Sequence, residues 1–226
     1  MCDTVSIAID GPAAAGKSTV ARKVAHALTY IYVDTGAMYR ALTLKTIKEG
    51  ADLSSEEEVL EVLMKCDIQF EQTDEGQLVF INGEEITKEI RTDEVTRNVS
   101  AVSSYPEVRI EMVNRQQKMI AGQNVVMDGR DIGTKVIPEA DLKIFMVASV
   151  EERARRRHEE NTRSGYESDL EVLMEEIKRR DDIDSTRTAS PLVKAKDAVE
   201  VDTTSLSIDN VVEQILDLVN ERVNSR

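Results

Sequence analysis

Apolar positions along this chain recur with two periods. Five short runs rich in β-branched residues, VSIAI (5–9), YIYVD (30–34), NVVMD (124–128), LKIFMVA (142–148) and AVEVDTT (198–204), read as strands. The most apolar of them do not alternate with polar residues, as expected of strands buried on both faces of a parallel sheet. Elsewhere the period lengthens to that of a helix. DLEVLMEEIKRR sets Leu170, Leu173, Met174 and Ile177 on one side, and SIDNVVEQILDLVNERV repeats Val212, Ile215, Leu216 and Val219. Ser149 and Glu152 have the spacing of a capping box, which marks a helix start. Strands alternating with helices predict an α/β three-layer sandwich around a five-stranded parallel sheet. Ligands of such sheets gather at the carboxyl ends of the strands, where Asp10, Asp34 and Asp128 fall.

One segment breaks the alternation. In DIQFEQTDEGQLVFINGEEITKEI (67–90), Ile68 and Phe70 alternate with polar residues, DEG turns the chain, and Asn82-Gly83 suits a tight hairpin turn. An antiparallel unit of this kind does not belong in a parallel core. It is expected as an insert that closes over a second substrate, which divides the chain into a core (1–66 and 91–226) and a β-hairpin insert (67–90). The alternative is a surface hairpin without function. The sequence has no internal repeat and no low-complexity tract.

The strongest chemical signal follows the first strand. IDGPAAAGKST places Gly11, four residues, then Gly16-Lys17-Ser18 between a strand and a helix. Such a loop, here Gly11, Pro12, Ala13, Ala14, Ala15, Gly16, Lys17, Ser18 and Thr19, turns its backbone N–H groups inward to hold nucleotide phosphates. The lysine neutralises charge and the Ser18 hydroxyl is a ligand for Mg²⁺. The fold expected is therefore of the P-loop NTPase type. The Asn-Lys-x-Asp guanine signature of GTPases is absent. In VVMDGRDIGT, Asp128, Arg130 and Asp131 cluster at a strand end, and the added arginine and second carboxylate suggest a site for an acceptor molecule.

Two arginine groups extend this picture. ERARRRHEENTR puts Arg153, Arg156 and Arg157 along one side of a helix and Arg155 on another. Arginines carried on a lid stabilise the charge that builds on a moving phosphoryl group. A solvated helix face paired with Glu151, Glu152, Glu159 and Glu160 is the competing reading. Beyond the next helical stretch, IKRRDDIDSTR offers Arg180, Asp184 and Arg187, the first two on one face if the helix persists.

Composition narrows the partners. The 226 residues, 41% of them hydrophobic, suffice for one sizeable core. With 29 Lys plus Arg against 43 Asp plus Glu, the net charge is −14, which repels nucleic acid while leaving nucleotide binding to a few local cations. Cys2 and Cys66 are far apart in sequence, in no metal-ligand spacing, and point to a reducing compartment. The N-terminus lacks the pattern of a signal peptide, and no run approaches the roughly 20 apolar residues of a membrane span. A cytoplasmic protein without nucleic-acid or membrane partners is expected. No apolar helix face stands out as unpaired, so a monomer is expected too.

The ordered set AIDGPAAAGKST, DTGAMYRA, IRTDEV, VVMDGRDIGT, IKRRDDIDSTR and PLVKAKDAVEVDTTSLSI resembles bacterial-type cytidylate kinase, of the nucleoside monophosphate kinase fold, from about Ser6 to Val219. The resemblance implies ATP-dependent phosphorylation of CMP and dCMP, a monophosphate-binding insert that includes 67–90, and a lid at about 149–167. It implies that Thr35 and Asp184 recognise the cytosine base, with Ser100 and Arg109 near it and Asp131 in the same site. Arg40, Arg130 and Arg187 would hold the monophosphate, and Asp128 and Arg180 the sugar hydroxyls. Lys17, Arg130, Arg153 and Arg157 would be catalytic, and Arg156 would join the loop in binding ATP. A guanidinium grips phosphate by two hydrogen bonds, and a carboxylate accepts from the cytosine amino group, which uracil replaces by an acceptor. Two other readings stay open. One is a small-molecule kinase for UMP, AMP or shikimate, and the other a nucleotide-switch module with no acceptor.

Overall fold

A computed structural model describes residues 4–73, 76–163, 165 and 167–223. Cys2, the expected turn at Asp74 and Glu75, and residues 164 and 166 of the segment expected as a lid lie outside the described residues.

The strand-rich runs form β1 (Ser6–Asp10), β2 (Ile31–Asp34), β6 (Val125–Gly129), β7 (Leu142–Val147) and β8 (Val199–Asp202), paired in the order β2-β6-β1-β7-β8. Every pairing is parallel, with Ile9 opposite Asp128 and Asp34 opposite Asp128 in register. The chain leaves β1 for the edge strand β2 and only later fills the gap with β6, so the order reverses around β1. That switch point opens a crevice at the strand ends. Asp10, Asp34 and Asp128 meet there.

Helices cover both faces: α1 (Lys17–Leu28) and α8 (Ile208–Val223) pack together on one, α2 (Thr35–Glu49) and α5 (Pro106–Ile120) lie on the other, and α3 (Glu56–Lys65) and α4 (Asp93–Val102) extend that second layer. On α8 the buried stripe is Val211, Ile215 and Val219; Val212 and Leu216, expected at its centre, are only partly covered. Both stripes fit the same sequence, and which one faces the sheet is set by how α8 rolls against α1 and β7. Met64 on α3 and Ile110 on α5 are each more than half exposed, single apolar side chains of the kind most protein surfaces carry.

The antiparallel unit is a three-stranded sheet, β3 (Ile68–Thr73), β4 (Gly76–Ile81) and β5 (Glu84–Glu85), with Ile68 opposite Ile81 and left-handed Asn82 and Gly83 at the second turn. Its buried side chains Ile68, Val79 and Ile81 share one core with Leu42, Leu63, Val99 and Met112. Thus α2 to α5 and the small sheet pack as a layer with its own apolar centre. Gln72 and Gln77 tie that layer to the edge strand, each donating from Nε2 to the Tyr32 carbonyl, at 2.8 and 2.6 Å.

Two long helices, α6 (Val150–Arg163) and α7 (Leu170–Thr186), pack against each other beside the phosphate loop through Ala154, Leu173 and Ile177. Ser149 Oγ accepts from the Glu152 N–H at 3.2 Å, so half of the capping box forms, while the Glu152 carboxylate turns to Arg155 and Arg156 instead of back to the cap. Leu170, expected on the buried side of α7, is 43% exposed because it is the first residue of the helix, after the Asp169 cap.

Candidate active site

The loop after β1 is built by backbone conformations that few residues adopt. Gly11 has φ 149°, and a Cβ there would overlap the carbonyl oxygen of Met146 on β7. Gly16 (φ 88°) caps α1, and between them Ala14 holds a left-handed φ of 59°, where a side chain costs roughly 1–2 kcal/mol. The loop is fixed from outside by neighbouring elements. Arg153 donates to Ala13 O (3.1 Å), Arg156 to Ala15 O (3.3 Å), and Thr203, just past β8, to Ala15 O (3.3 Å). Lys17, 5% exposed, donates from Nζ to Pro12 O at 2.6 Å.

The loop forms one wall of a cleft of about 1570 Å³. That is larger than the roughly 300–1,000 Å³ of a site for one small ligand. Lys17, Arg40, Arg130, Arg157 and Arg180 all line it. They crowd one another. Burial, and then Arg130, lowers Lys17 well below the ordinary lysine value. Burial followed by Arg180 lowers Arg40 to about 9, and burial followed by Arg130 lowers Arg180 to about 10. Buried cations that repel one another are stabilised when anions enter. Arg180 Nε is buried with no protein partner.

Beneath this cleft, toward α2 and α5, lies a second polar layer. Arg130 Nε pairs with Asp184 Oδ2 at 2.8 Å, Arg187 approaches Asp184 Oδ1 at 3.6 Å, and Arg109 pairs with Asp131 at 2.5 Å while its guanidinium lies 5.3 Å from the Tyr39 ring centroid. Burial alone would raise Asp184, but Arg130 and Arg180 hold it below the usual carboxylate range. The helix does persist: α7 runs to Thr186, so Arg180 and Asp184 share a face. Tyr39 Oη, Arg109 Nε and Arg187 Nη2 are buried without a protein partner. Unmet donors gathered in one place are what a polar ligand would complete. Thr35 is buried here too, its hydroxyl donating to Asp128 O at 2.8 Å, and Ser100 reaches the cleft wall.

Asp128, expected beside a sugar, stands against the phosphate loop. Its Oδ2 accepts from Ser18 Oγ at 2.9 Å and its Oδ1 from Tyr32 Oη at 2.8 Å. Burial, then Asp34, pushes the Asp128 carboxyl upward. Ser18 and Asp128 therefore present adjacent hard oxygen donors, a set suited to a cation that keeps most of its shell for water and phosphate oxygens. Among the described residues no group of three or more His, Cys, Asp or Glu could hold a metal.

The expected row of lid arginines is divided. Arg153 is 4% exposed and held by Asp181 at 3.0 and 2.5 Å, and Arg156 bonds Thr203 O at 2.5 Å, so neither lines the cleft. Arg157 does line it, with a surface contact to Glu160 at 3.1 Å, and Arg155 is exposed among Glu152 and Glu159. The loop's carbonyls draw the first two away, which helical spacing alone does not indicate. Asp181, Thr203 and Tyr32 were not singled out from the sequence because their partners are distant in it; only the position of Asp10 at a strand end signalled its place. Asp10 accepts from the Ile132 and Gly133 N–H groups at 2.9 and 2.8 Å and so joins β1 to the segment after Arg130.

A strand, a glycine-bounded loop and a helix at a sheet switch point, facing a cation-lined cleft wide enough for two ligands, define a P-loop phosphotransferase. The fold matches solved structures of a gluconokinase from Sinorhizobium meliloti 1021 (TM-score 0.51, 16% identity, 97% of this chain and 94% of that one) and an uncharacterized protein from Eubacterium ventriosum ATCC 27560 (TM-score 0.51, 14% identity, 97% and 100%). In sequence, the cytidylate kinase family profile matches residues 7–221. Cytidylate kinases of Anoxybacillus flavithermus and Geobacillus kaustophilus are 59% and 57% identical over 219 residues, covering 97% of this chain and 97% and 98% of theirs. The chain belongs to the cytidylate kinase family.

Proposed function

We propose that this protein transfers the γ-phosphoryl group of ATP directly to the phosphate of CMP or dCMP. The observation that carries the reading is the cluster Lys17, Arg40, Arg130, Arg157 and Arg180, five of the nine Lys and Arg residues that line one cleft in a chain of net charge −14. Two anionic nucleotides entering end to end relieve that crowding, and the reacting oxygens meet where the cations converge.

The ATP phosphates lie on the backbone N–H groups of residues 11–19 and on Lys17, at the start of α1, where the helix dipole also favours anions. Arg153 and Arg156 act on the same end by holding the Ala13 and Ala15 carbonyls. Ser18 and Asp128 are the oxygen donors for Mg²⁺, which when bound neutralises charge on the phosphates. Arg40, Arg130 and Arg180, which line the cleft, hold the acceptor phosphate. Arg187, expected there from the resemblance, is buried beneath the cleft and with Arg109, Asp131, Asp184, Thr35 and Ser100 forms the pocket for sugar and base, so Arg180 and Arg187 exchange the roles expected of them. A carboxylate there accepts from the cytosine amino group, and uracil would leave that acceptor facing another.

Bond formation is in line: an acceptor phosphate oxygen attacks the γ-phosphorus as the bond to the β-phosphate oxygen breaks, giving ADP and a cytidine diphosphate. The attacking oxygen is already anionic, so no strong general base is needed. His26 on α1 is exposed and His158 Nδ1 contacts Ser168 Oγ at 2.9 Å; neither takes part. Arg157 on α6 is the lid cation for the moving group, and closure of α6, α7 and the insert excludes water. The test is an acceptor panel with Mg-ATP. CMP and dCMP should turn over at least about tenfold more efficiently than UMP or AMP. Equal turnover of AMP, or ATP loss independent of any acceptor, would refute the assignment.

A further inference from the structure

Tyr32 lies on the edge strand β2, outside every motif that marks the phosphate or acceptor sites. In register it faces Val126, so Asp128 is its diagonal neighbour on the same face of the sheet, within the reach of an aromatic side chain. The ring is 4% exposed and packs in the core formed with Val20, Val24 and Val126, which fixes its direction. From there the phenol donates to Asp128 Oδ1 at 2.8 Å, and the other oxygen, Oδ2, receives Ser18 Oγ at 2.9 Å. The backbone of the same residue is held from the opposite side. The Tyr32 carbonyl, on the free edge of β2, accepts from Gln72 Nε2 and Gln77 Nε2 of the small sheet.

We propose that Tyr32 is a positioning residue for the metal-bearing end of the ATP site. Its phenol takes one Asp128 oxygen, so that the other is aimed at Ser18 and at a cation between the carboxylate and the phosphates. Without the phenol the carboxylate can rotate about its Cβ–Cγ bond and present either oxygen, or turn toward Lys17. The clamp on the Tyr32 carbonyl makes this alignment depend on the docking of the acceptor layer against β2, so the metal end and the acceptor layer share one residue. The carboxylate is the ligand, and the phenol orients it as outer-shell partners orient metal ligands. The inference rests on the reading of Ser18 and Asp128 as the Mg²⁺ donors.

The experiment measures binding, not turnover. ATP is titrated into the full chain by calorimetry without CMP, with and without Mg²⁺, for the natural protein and for Tyr32→Phe, which keeps the ring. The expected result is unchanged metal-free ATP affinity in the variant, within about twofold, with the gain in affinity from Mg²⁺ reduced about tenfold. A gain of the same size in both proteins overturns the role of Tyr32 and leaves the metal site standing. No gain in the natural protein removes the metal site and the proposal together. If Tyr32→Phe does not fold, the natural protein decides the matter. The chain has five tyrosines and no tryptophan, and with ¹³Cζ-tyrosine labelling, assigned by substituting the other four, the Tyr32 signal must move when Mg²⁺ is added to ATP-saturated protein. A Tyr32 signal that stays in place overturns the proposal.

Discussion

Arg130 Nε and Asp184 Oδ2 stand 2.8 Å apart, joining the end of β6 to α7 in the polar layer beneath the cleft. Asp184 is 3% exposed and holds two arginines, Arg130 and Arg187, apart from each other. Asp184→Asn keeps the shape and removes the charge. Arg130 and Arg187 then face each other with less compensation, and the pocket proposed for sugar and base loses one of its two carboxylates. KM for CMP should rise by about tenfold or more, equivalent to about 1.4 kcal/mol or more, with metal-free ATP affinity unchanged. Steady-state kinetics on CMP beside an ATP titration check this; equal weakening of both nucleotides would mean a general loss of structure.

Lys17 is buried, surrounded by other cations, and bonded to Pro12 O. Lys17→Ala removes charge from the point where phosphate charge accumulates in the proposed reaction, and removes repulsion from the empty protein. Turnover should fall by about a thousandfold or more. The melting temperature of the ligand-free protein should hold or rise. Circular dichroism and thermal unfolding of the variant separate these effects, and a variant with the natural rate contradicts the assigned role.

Burial raises the Asp10 carboxyl from 3.8 to about 6, although the Gly133 and Ile132 N–H groups pull it back toward the ionised form. A folded-state value above the unfolded one means that the folded protein binds more protons between these limits. Its contribution to stability is fully present below about pH 4 and is lost as pH rises through about 6, a span of about 3 kcal/mol. Asp10→Asn cannot titrate. The stability of the natural protein relative to this variant should therefore decline between about pH 4 and 6 and level off above. Urea unfolding of both across that range tests it, and parallel profiles would show that Asp10 does not carry the linkage.

Gly11→Ala puts a methyl group into the Met146 carbonyl of β7 and requires a φ that side chains rarely adopt. Either the loop or β7 must move. A loss of about 3 kcal/mol or more is expected, together with loss of ATP binding, since the loop's N–H groups no longer converge. Chemical unfolding and ATP titration measure both; natural stability in this variant would show that the loop relaxes freely.

The parallel strands were readable because both their faces are buried, which requires continuous apolar residues, and the phosphate loop because its turn admits so few residues. Val211 in place of Val212 at the centre of the α8 stripe was not readable. Adjacent valines satisfy a helical period about equally well, and only packing against the sheet separates them. The lid arginines illustrate a similar limit. Spacing grouped Arg153, Arg156 and Arg157, whereas carbonyls of a loop some 140 residues earlier in the chain claimed the first two.

By itself the sequence determined the alternation of strand and helix, the loop that binds phosphate and the chemical types gathered around it, since these depend on neighbours a few residues apart. Tertiary structure alone decided which cations face the cleft, which carboxylate meets Ser18, and that a tyrosine on the edge strand holds that carboxylate. Those relationships join segments about a hundred residues apart or more, and the strand order β2-β6-β1 brings Tyr32 and Asp128 side by side next to the loop.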